Sequence, residues 1–336
     1  MKLKDRPIEQ AAGTILLHNV ADATGRRSLR KGTRLTAEHV AQLEEMGRDS
    51  VEVAVLGPED AHEDEAAQAL AEAMETQHLS YSRAHGGRVN LRTSADGLLE
   101  VDAERLLAIN LLPGFAIGTR RQHTVVGPNQ ETDNVATLKI VPYAVARADL
   151  ERAVEWAAAR PGILEVRPFY PGRRVAMLFV AEPAAQGRTR EEYLPPTQAR
   201  LQRLGAELIA TAVVDVDEAA IVQAVASLAA ASDLLVIAGQ TSIIHDEDTT
   251  LRALRRAGAE GIVSGAPVEP GNLLALAYLP GTPVLCAPGC AKGLKRNVVD
   301  LVLPRLLLGD RLERQDIASL GLGGFLTAAE RGGDIT

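Results

Sequence analysis

Residues 234–242 of the chain read L-L-V-I-A-G-Q-T-S. Five consecutive apolar residues, without the alternation of a half-exposed strand, are typical of a strand buried on both faces of a parallel sheet. The run ends at Gly239, which permits a sharp turn, and continues into residues that carry amide and hydroxyl groups. The stretch therefore predicts a central strand whose carboxyl end opens into a polar loop.

Apolar runs and amphipathic segments alternate on both sides of this strand. The predicted strands cover 175–180, 207–214, 234–238 and a run that begins at Ile262. The predicted helices cover 194–204, 217–230, 249–257 and 297–308, with Pro304 expected to kink or split the last one. This alternation favours an α/β domain with a doubly wound, mostly parallel sheet, which we assign to residues 173–336. Ligands of such sheets bind at the carboxyl ends of the strands.

Residues 1–172 lack this regular alternation of apolar runs and amphipathic segments. They predict a separate N-terminal domain of mixed α+β structure. The predicted strands cover 13–18, 51–56, 88–91, 98–101 and 135–141, and residues 25–31 are predicted to form a charged turn. The predicted helices cover 36–47, 62–74, 103–109 and 148–159. Thr36 and Asp102 are the predicted N-caps of two of these helices.

Composition narrows the class of protein. The chain has 336 residues, of which 46% are hydrophobic, and a formal net charge of −8. Aromatic residues make up only 3%, which argues against a base-stacking surface for nucleic acid, and the negative charge offers polyanions no general attraction. No apolar run is long enough to cross a bilayer, and the first residues lack the apolar core of a signal peptide. We therefore expect a cytoplasmic protein that binds neither nucleic acid nor membrane.

A second polar region runs from Ser264 to Asn297 and contains three Pro-Gly pairs. It ends in A-P-G-C-A-K-G-L-K-R-N at 287–297, which places two lysines and an arginine just before a predicted helix. Helix N-termini and cationic side chains both favour anions, so this loop predicts a site for phosphate or another oxyanion. The alternative is a hairpin with a tight turn and solvated lysines. Cys286 is predicted to lie in the core, whereas Cys290 is either packed or functional.

Polar side chains also follow the central strand. Gly239, Thr241 and Ser242 offer amide and hydroxyl donors to a phosphate. Asp246 and Asp248 lie further along the same loop and could hold a magnesium ion or polarise a water molecule. The alternative for Asp248 is that it serves only as the N-cap of the helix predicted at 249–257.

Together these motifs resemble the molybdopterin-binding domain shared by molybdopterin adenylyltransferases, molybdopterin molybdotransferases and gephyrin. The resemblance covers about 173–308 and follows the order of V-V-D-V-D-E, G-Q-T-S, P-G-N and A-P-G-C. The family commonly has Gly-Gly-Thr-Ser or Gly-Gly-Thr-Gly in place of the second motif. The first half, with G-T-I-L-L-H-N-V at 13–20 and G-G-R-V-N-L at 86–91, is similar to molybdopterin-binding-like proteins of bacterial molybdenum-cofactor metabolism.

The resemblance implies a protein that binds molybdopterin or a molybdopterin nucleotide and forms a homo-oligomer. It also implies either a transferase that inserts metal or moves a nucleotidyl group, with magnesium as a further cofactor, or a non-catalytic carrier, chaperone or sensor. The implied catalytic and metal-binding residues are Asp246 and Asp248. The implied ligand contacts are Gly239, Gln240, Thr241, Ser242, Pro270, Gly271, Asn272, Pro288, Gly289, Cys290, Lys292 and Lys295.

Three departures from the family pattern bear on catalysis. Gln240 replaces a glycine, and His245 stands where related proteins often carry an aspartate. Residues 193–197 lack the acidic residue that catalytic members place there, although Glu191 and Glu192 come just before. These departures argue against a reaction that needs several acidic residues. They argue less strongly against ligand binding. Without the resemblance, the same loops predict an α/β protein that binds another phosphorylated small molecule, such as a nucleotide.

Overall fold

The computed structural model describes residues 1–22, 24–128 and 133–327. The chain forms two compact units, Met1–Val166 and Arg167–Thr336, which we name the N-terminal unit and the C-terminal unit. The boundary predicted after Gly172 falls a few residues beyond this division. Within the described ranges, the model contains no helix with the length and apolar character needed to span a membrane.

The described residues of the N-terminal unit form short strands and four α-helices. The strands are β1 (Lys2–Pro7), β2 (Ile15–Leu16), β3 (Val20–Ala21), β4 (Arg27–Leu29), β5 (Ser50–Val55), β6 (Asp60–His62), β7 (Leu79–Tyr81), β8 (Arg88–Thr93), β9 (Gly97–Val101), β10 (Phe115–Thr119), β11 (Val125–Val126), β12 (Asn134–Ile140), β13 (Ala144–Ala146) and β14 (Leu164–Pro168). The helices in the described part are α1 (Ala37–Glu45), α2 (Glu63–Ala73), α3 (Ala103–Asn110) and α4 (Arg147–Ala158).

These elements form several small sheets around two cores. The largest sheet has the order β10-β12-β8-β7 and is antiparallel throughout. Helix α2 packs on β8 and β12 and buries Leu70 against Leu91 and Leu138 in one apolar cluster. Thr36 and Asp102 cap α1 and α3 as predicted, because each side chain accepts a hydrogen bond from a free amide of the first helical turn.

The C-terminal unit, as far as Thr327, is built on one six-stranded sheet. Its strands are β15 (Arg173–Val180), β16 (Ala206–Val214), β17 (Leu234–Gly239), β18 (Glu260–Ser264), β19 (Ala275–Leu279) and β20 (Thr282–Ala287). Its helices are α5 (Gln186–Arg203), α6 (Glu218–Ala231), α7 (Thr249–Arg256), α8 (Val299–Leu307) and α9 (Arg314–Ser319). The sheet order is β16-β15-β17-β20-β19-β18, in which the first four strands are parallel and β19 is antiparallel to both neighbours. The predicted mostly parallel α/β sheet is therefore confirmed.

Burial on both faces explains the apolar run that predicted β17. Residues 234–238 are all buried. Leu235 and Ile237 share a cluster with Ile221 and Val225 of α6, while α5 also packs against β15, β16 and β17. Fully burying one such side chain contributes about 1.5–3 kcal/mol, so helices on both faces fix this strand at the centre of the sheet.

The prediction that a helix begins at Leu194 is wrong. Helix α5 begins at Gln186 and continues through Pro195 and Pro196. Paired prolines are favoured in a first helical turn, where their missing N–H groups cost nothing, and that preference produced the late start. Packing overrides it here, because Tyr193 and Thr197 are both buried on the inner face of the helix.

Other boundaries also differ from the sequence predictions. Residues 25–31, predicted as a charged turn, contain the short strand β4, which pairs with β3. Helix α8 begins at Val299 and runs unbroken through Pro304 to Leu307, so it is not split. Strands β1, β10 and β14 and helix α9 were not predicted. Each of these segments is too short, or contains too few apolar residues, to show the periodic spacing typical of a strand or a helix.

Candidate functional site

The strand register brings the predicted loops to one edge of the C-terminal sheet. Val180 at the end of β15 pairs with Val214 of β16 and with Gly239 of β17. Ala238 of β17 pairs in turn with Ala287 at the end of β20. The four parallel strands therefore end in one row, and the segments that follow them leave the sheet side by side.

The antiparallel strand β19 adds another loop to this edge. Its first residue, Ala275, pairs with Cys286 near the end of β20 and with Ser264 at the end of β18. The loop between β18 and β19, which carries Pro270, Gly271 and Asn272, therefore opens at the same edge. We call this surface, formed by the loops 239–248, 265–274 and 288–297, the carboxyl edge.

Two side chains of the loop after β17 form hydrogen bonds that link this loop to its neighbours. Gln240 Oε1 accepts a hydrogen bond from the Glu182 amide at 2.7 Å, which ties this loop to the segment after β15. Ser242 Oγ accepts from the Gly289 amide at 3.1 Å, which ties it to the loop after β20. Gln240 and the Gly289 amide were predicted to face a ligand, but both already have protein partners. The Ser242 hydroxyl keeps its own hydrogen for donation.

The loop after β17 turns so tightly that Gly239 has no room for a side chain. A Cβ atom at this position would lie 2.6 Å from the carbonyl oxygen of Thr241. Thr241 itself is exposed at the edge, whereas Ser242 is half-buried. The predicted donors Gly239, Thr241 and Ser242 are therefore brought together in one compact turn.

The two aspartates predicted as catalytic or metal-binding residues both make structural hydrogen bonds. Asp248 caps α7 by accepting from the Thr250 amide at 2.8 Å, the simpler alternative stated from the sequence. Asp246 Oδ1 accepts from the Ser264 hydroxyl at 2.6 Å and so ties the loop after β17 to the end of β18. Across residues 1–22, 24–128 and 133–327, no group of three or more His, Cys, Asp and Glu side chains is placed to hold a metal ion.

Two substitutions separate the contribution of helix capping by Asp248 to stability from the contribution of its negative charge. We expect Asp248→Ala to lower the free energy of unfolding by about 1 kcal/mol, because the cap is lost. Asp248→Asn should change it by only a few tenths, because asparagine caps about as well as aspartate. Chemical denaturation of the three proteins measures both differences. Equal losses in the two variants would contradict a capping role.

The Pro-Gly-Asn segment packs tightly against the start of α8. Gly271 has a φ of +132°, and a Cβ atom there would lie 2.2 Å from Val298 Cγ1. The Val298 amide donates to the Pro270 carbonyl at 3.2 Å. Asn272 is exposed; its backbone carbonyl accepts from the Ala266 amide, and its side chain has no hydrogen-bond partner in the described part of the chain. Among these three residues, Asn272 is the one whose side chain is free to meet a ligand.

Lys292 is partly neutralised by α5. Its Nζ lies 2.6 Å from Glu192 Oε2 and 5.2 Å from the centre of the Tyr193 ring. Hydrogen bonds from Lys292 and then Arg188 lower the pKa of Glu192. The exposed Lys295 side chain has no carboxylate partner among the described residues. The acid just before 193–197 therefore serves as a partner for Lys292.

The two cysteines are poor nucleophiles at neutral pH. Burial raises the pKa of Cys286 to about 12 and that of Cys290, which is half-buried next to Pro288 and Gly289, to about 11. Since the thiolate is the reactive form, neither side chain is set up for covalent chemistry. Cys286 is a core residue, as predicted, whereas Cys290 is half-buried.

A buried polar network under the loop after β20 was missed by the sequence analysis. Arg200 of α5 is 3% exposed and donates to Asp300 Oδ1 at 2.9 Å and Oδ2 at 3.2 Å. Asn297 is 1% exposed and donates through Nδ2 to the carbonyls of Cys290 and Lys295. The only sequence signal was that Arg200 falls on the helical stripe of Tyr193 and Thr197, where an arginine must find partners once buried.

Arg200 also fixes the backbone of this loop. Its guanidinium donates to the carbonyl oxygens of Ala291 at 3.2 Å, Gly293 at 2.9 Å and Lys295 at 3.4 Å. A planar group with five N–H donors suits several acceptors at once, which a lysine ammonium could not reach in this fixed pattern. The shape of the loop after β20 is therefore imposed from beneath by one side chain.

Comparison with known proteins agrees with this architecture. Residues 176–307 match the model of the family described as "Probable molybdopterin binding domain". The C-terminal unit carries a domain of this family. Residues 5–55 match a domain of unknown function, DUF8806. No curated protein matches the sequence. The resemblance stated from the order of motifs is thus confirmed for the C-terminal unit.

Several solved structures of low sequence identity are also similar. A molybdenum cofactor biosynthesis protein from Pyrococcus furiosus is 12% identical, with 95% of this chain and 65% of that chain covered and a TM-score of 0.24. The molybdopterin biosynthesis MoeA protein from Pyrococcus horikoshii is 13% identical, with 91% and 75% covered and a TM-score of 0.30. The molybdopterin biosynthesis enzyme MoaB from Thermus thermophilus is 18% identical, with 41% and 97% covered and a TM-score of 0.31.

Proposed function

We propose that the carboxyl edge of the C-terminal unit binds molybdopterin or a molybdopterin nucleotide. The observation that carries this proposal is that the family match at 176–307 spans the strands whose ends form this edge. Ligands of open α/β sheets bind at such an edge, where loops diverge from adjacent strands. The predicted contacts at 239–242, 270–272 and 288–295 all lie on its loops.

The polar groups of the edge suit a ligand with a phosphate and a hydrogen-bonding ring. The Thr241 and Ser242 hydroxyls would donate to anionic oxygens, and the exposed amide of Asn272 can both donate and accept. Lys292 and Lys295 would supply positive charge, with Lys292 already oriented by Glu192. A net charge of −8 attracts no polyanion, so this local set would provide the electrostatic attraction.

No group of three or more His, Cys, Asp and Glu side chains in the described ranges is placed to hold magnesium as a resident ion. One oxygen of Asp248 is engaged in capping and one oxygen of Asp246 in the bond to Ser264. Magnesium prefers octahedral oxygen ligands, usually one or two carboxylates together with substrate phosphates. We therefore assign no step to a bound metal, and the prediction of a magnesium site at these two residues receives no support.

The acidic residues of the site already have partners in the protein, and this favours a carrier that protects the pterin rather than a transferase. Glu192 pairs with Lys292, and both aspartates of the loop after β17 have structural partners. Transfer reactions depend on groups that organise metal and leaving group.

With molybdopterin, magnesium nucleotide and molybdate supplied together, we expect stoichiometric retention of the pterin without product. Catalytic turnover would instead establish the transferase. Self-association of the chain stays a prediction.

Binding can be tested with variants that leave the fold unchanged. We expect calorimetric titration with molybdopterin to show that Asn272→Ala and Lys292→Gln each weaken binding about tenfold, the value of one hydrogen bond to a charged group. Gln202→Ala and Arg203→Gln, which alter exposed side chains of α5, are the matched controls and should bind like the unaltered protein. Unchanged affinity in both edge variants would contradict the proposed site.

A further inference from the structure

The loop after β20 has an inner and an outer side. On the inner side, the carbonyl groups of Gly293 and Lys295 point at the guanidinium of Arg200. The peptide bonds that follow these carbonyls are trans. In a trans peptide the N–H points opposite to the C=O, so the amides of Leu294 and Arg296 point away from Arg200.

These outward amides have no protein partner. Within the described residues, the N–H groups of Leu294, Lys295 and Arg296 find no acceptor, and all three residues are exposed or half-exposed. The amides of the flanking residues are already used, since Gly293 donates to Cys290 and Asn297 donates to Asp300. The free donors are therefore confined to one short turn.

The charge around the turn is positive. Lys295 and Arg296 have no carboxylate within 4.0 Å in the described part of the chain, in contrast to Lys292, which is held by Glu192. The negative ends of the nearby peptide dipoles are turned inward to Arg200. Backbone N–H groups close together in one turn, with cations beside them, are the kind of donor set that binds anions.

We propose that residues 293–296 form an oxyanion site that takes a phosphate group, and that Arg200 is the positioning residue that gives the turn this shape. Arg200 itself is buried and contacts no ligand, so it acts through the carbonyls it holds. The proposal rests on the proposed function only for the identity of the larger ligand, whose phosphate this turn would bind. The sequence predicted an oxyanion site in the loop 287–297, and the structure adds that the donors would be the amides of Leu294 and Arg296, beyond Lys292.

The test uses inorganic phosphate as the probe and the full chain labelled with nitrogen-15. We expect phosphate, at ionic strength matched with chloride, to shift the amide signals of Leu294 and Arg296 saturably. Combined Lys295→Gln and Arg296→Gln substitutions should weaken this binding about tenfold or more, because two charge-assisted contacts are lost. Arg203→Gln, which removes an exposed charge from the last turn of α5, should leave it unchanged.

Arg200→Lys tests the positioning role. Lysine keeps the positive charge but cannot hold three carbonyls and a carboxylate together, so we expect the phosphate-dependent shifts to be lost while the β17 amide signals stay in place. If this variant fails to fold, the wild-type titration and the Lys295/Arg296 variant still decide the matter. Phosphate that leaves the Leu294 and Arg296 amides unmoved overturns the proposal.

The two proposals fail in different ways. Tight molybdopterin binding with unmoved Leu294 and Arg296 amides would overturn the oxyanion turn and leave the proposed function intact. Saturable phosphate binding at this turn, together with no affinity for molybdopterin, would support the turn and overturn the proposed function.

Discussion

Replacing Arg200 with methionine is expected to lower the free energy of unfolding of the C-terminal unit by about 3–5 kcal/mol. Methionine preserves much of the volume of the side chain but removes every donor to Asp300 and to the loop carbonyls. The carboxylate of Asp300, whose side chain is 15% exposed, would then be buried without its counter-charge. Native-state hydrogen exchange of the central β17 amides measures the loss directly.

Two controls separate the buried ion pair from the general effect of losing an arginine. Arg203→Met, on the exposed side of the same helix, should change the free energy of unfolding by less than about 0.5 kcal/mol. Combining Arg200→Met with Asp300→Asn should recover part of the loss, because no unpaired buried charge remains. A cost for Arg200→Met as small as that of Arg203→Met would show that the network does not hold the loop.

Gly271→Ala is expected to be the most damaging conservative change at the carboxyl edge, with a loss of about 2–5 kcal/mol. The methyl group would lie 2.2 Å from Val298 Cγ1 and 2.5 Å from Val298 Cβ, so the Pro-Gly-Asn segment must move away from α8. Because Asn272 is the next residue, molybdopterin binding should weaken along with stability. Chemical denaturation and ligand titration of the same variant measure the two effects.

Gly258→Ala is the matched control for this prediction. Gly258 follows α7 with a φ of +84°, and a Cβ atom there would meet nothing within 4 Å. Its substitution should cost about 1–2 kcal/mol from backbone strain alone. The difference between the two variants isolates the clash with Val298. Equal costs would mean that the segment before β19 can shift without penalty.

The architecture of the C-terminal unit could be predicted because its signals are local. The run at 234–238 is apolar at every position since both faces of β17 are covered. Glycines with positive φ follow the ends of α5 and α7, at Gly205 and Gly258. One exception was α5, whose paired prolines are a local signal for a helix start. Burial of Tyr193 and Thr197, which depends on the rest of the fold, overrides that signal.

The candidate site could be predicted only in part, because its polar groups are defined by their partners. The sequence located the loops at 239–248, 270–272 and 288–295, and the register brings them to one edge. It could not show that Gln240 is used by Glu182, or that Arg200 meets a residue 100 positions away. The helical spacing of Arg200 from Tyr193 and Thr197 indicates its burial, but the identity of either partner depends on tertiary contacts that spacing and composition do not show.

The central claim is that the carboxyl edge of the C-terminal sheet is where molybdopterin binds. Hydrogen–deuterium exchange of the full chain, with and without saturating molybdopterin, tests it most directly because the readout locates the ligand. We predict new protection at 239–242, 270–272 and 289–296, with little change in the buried strands. Saturable binding that protects other segments and leaves these three loops exchanging as before would contradict the claim.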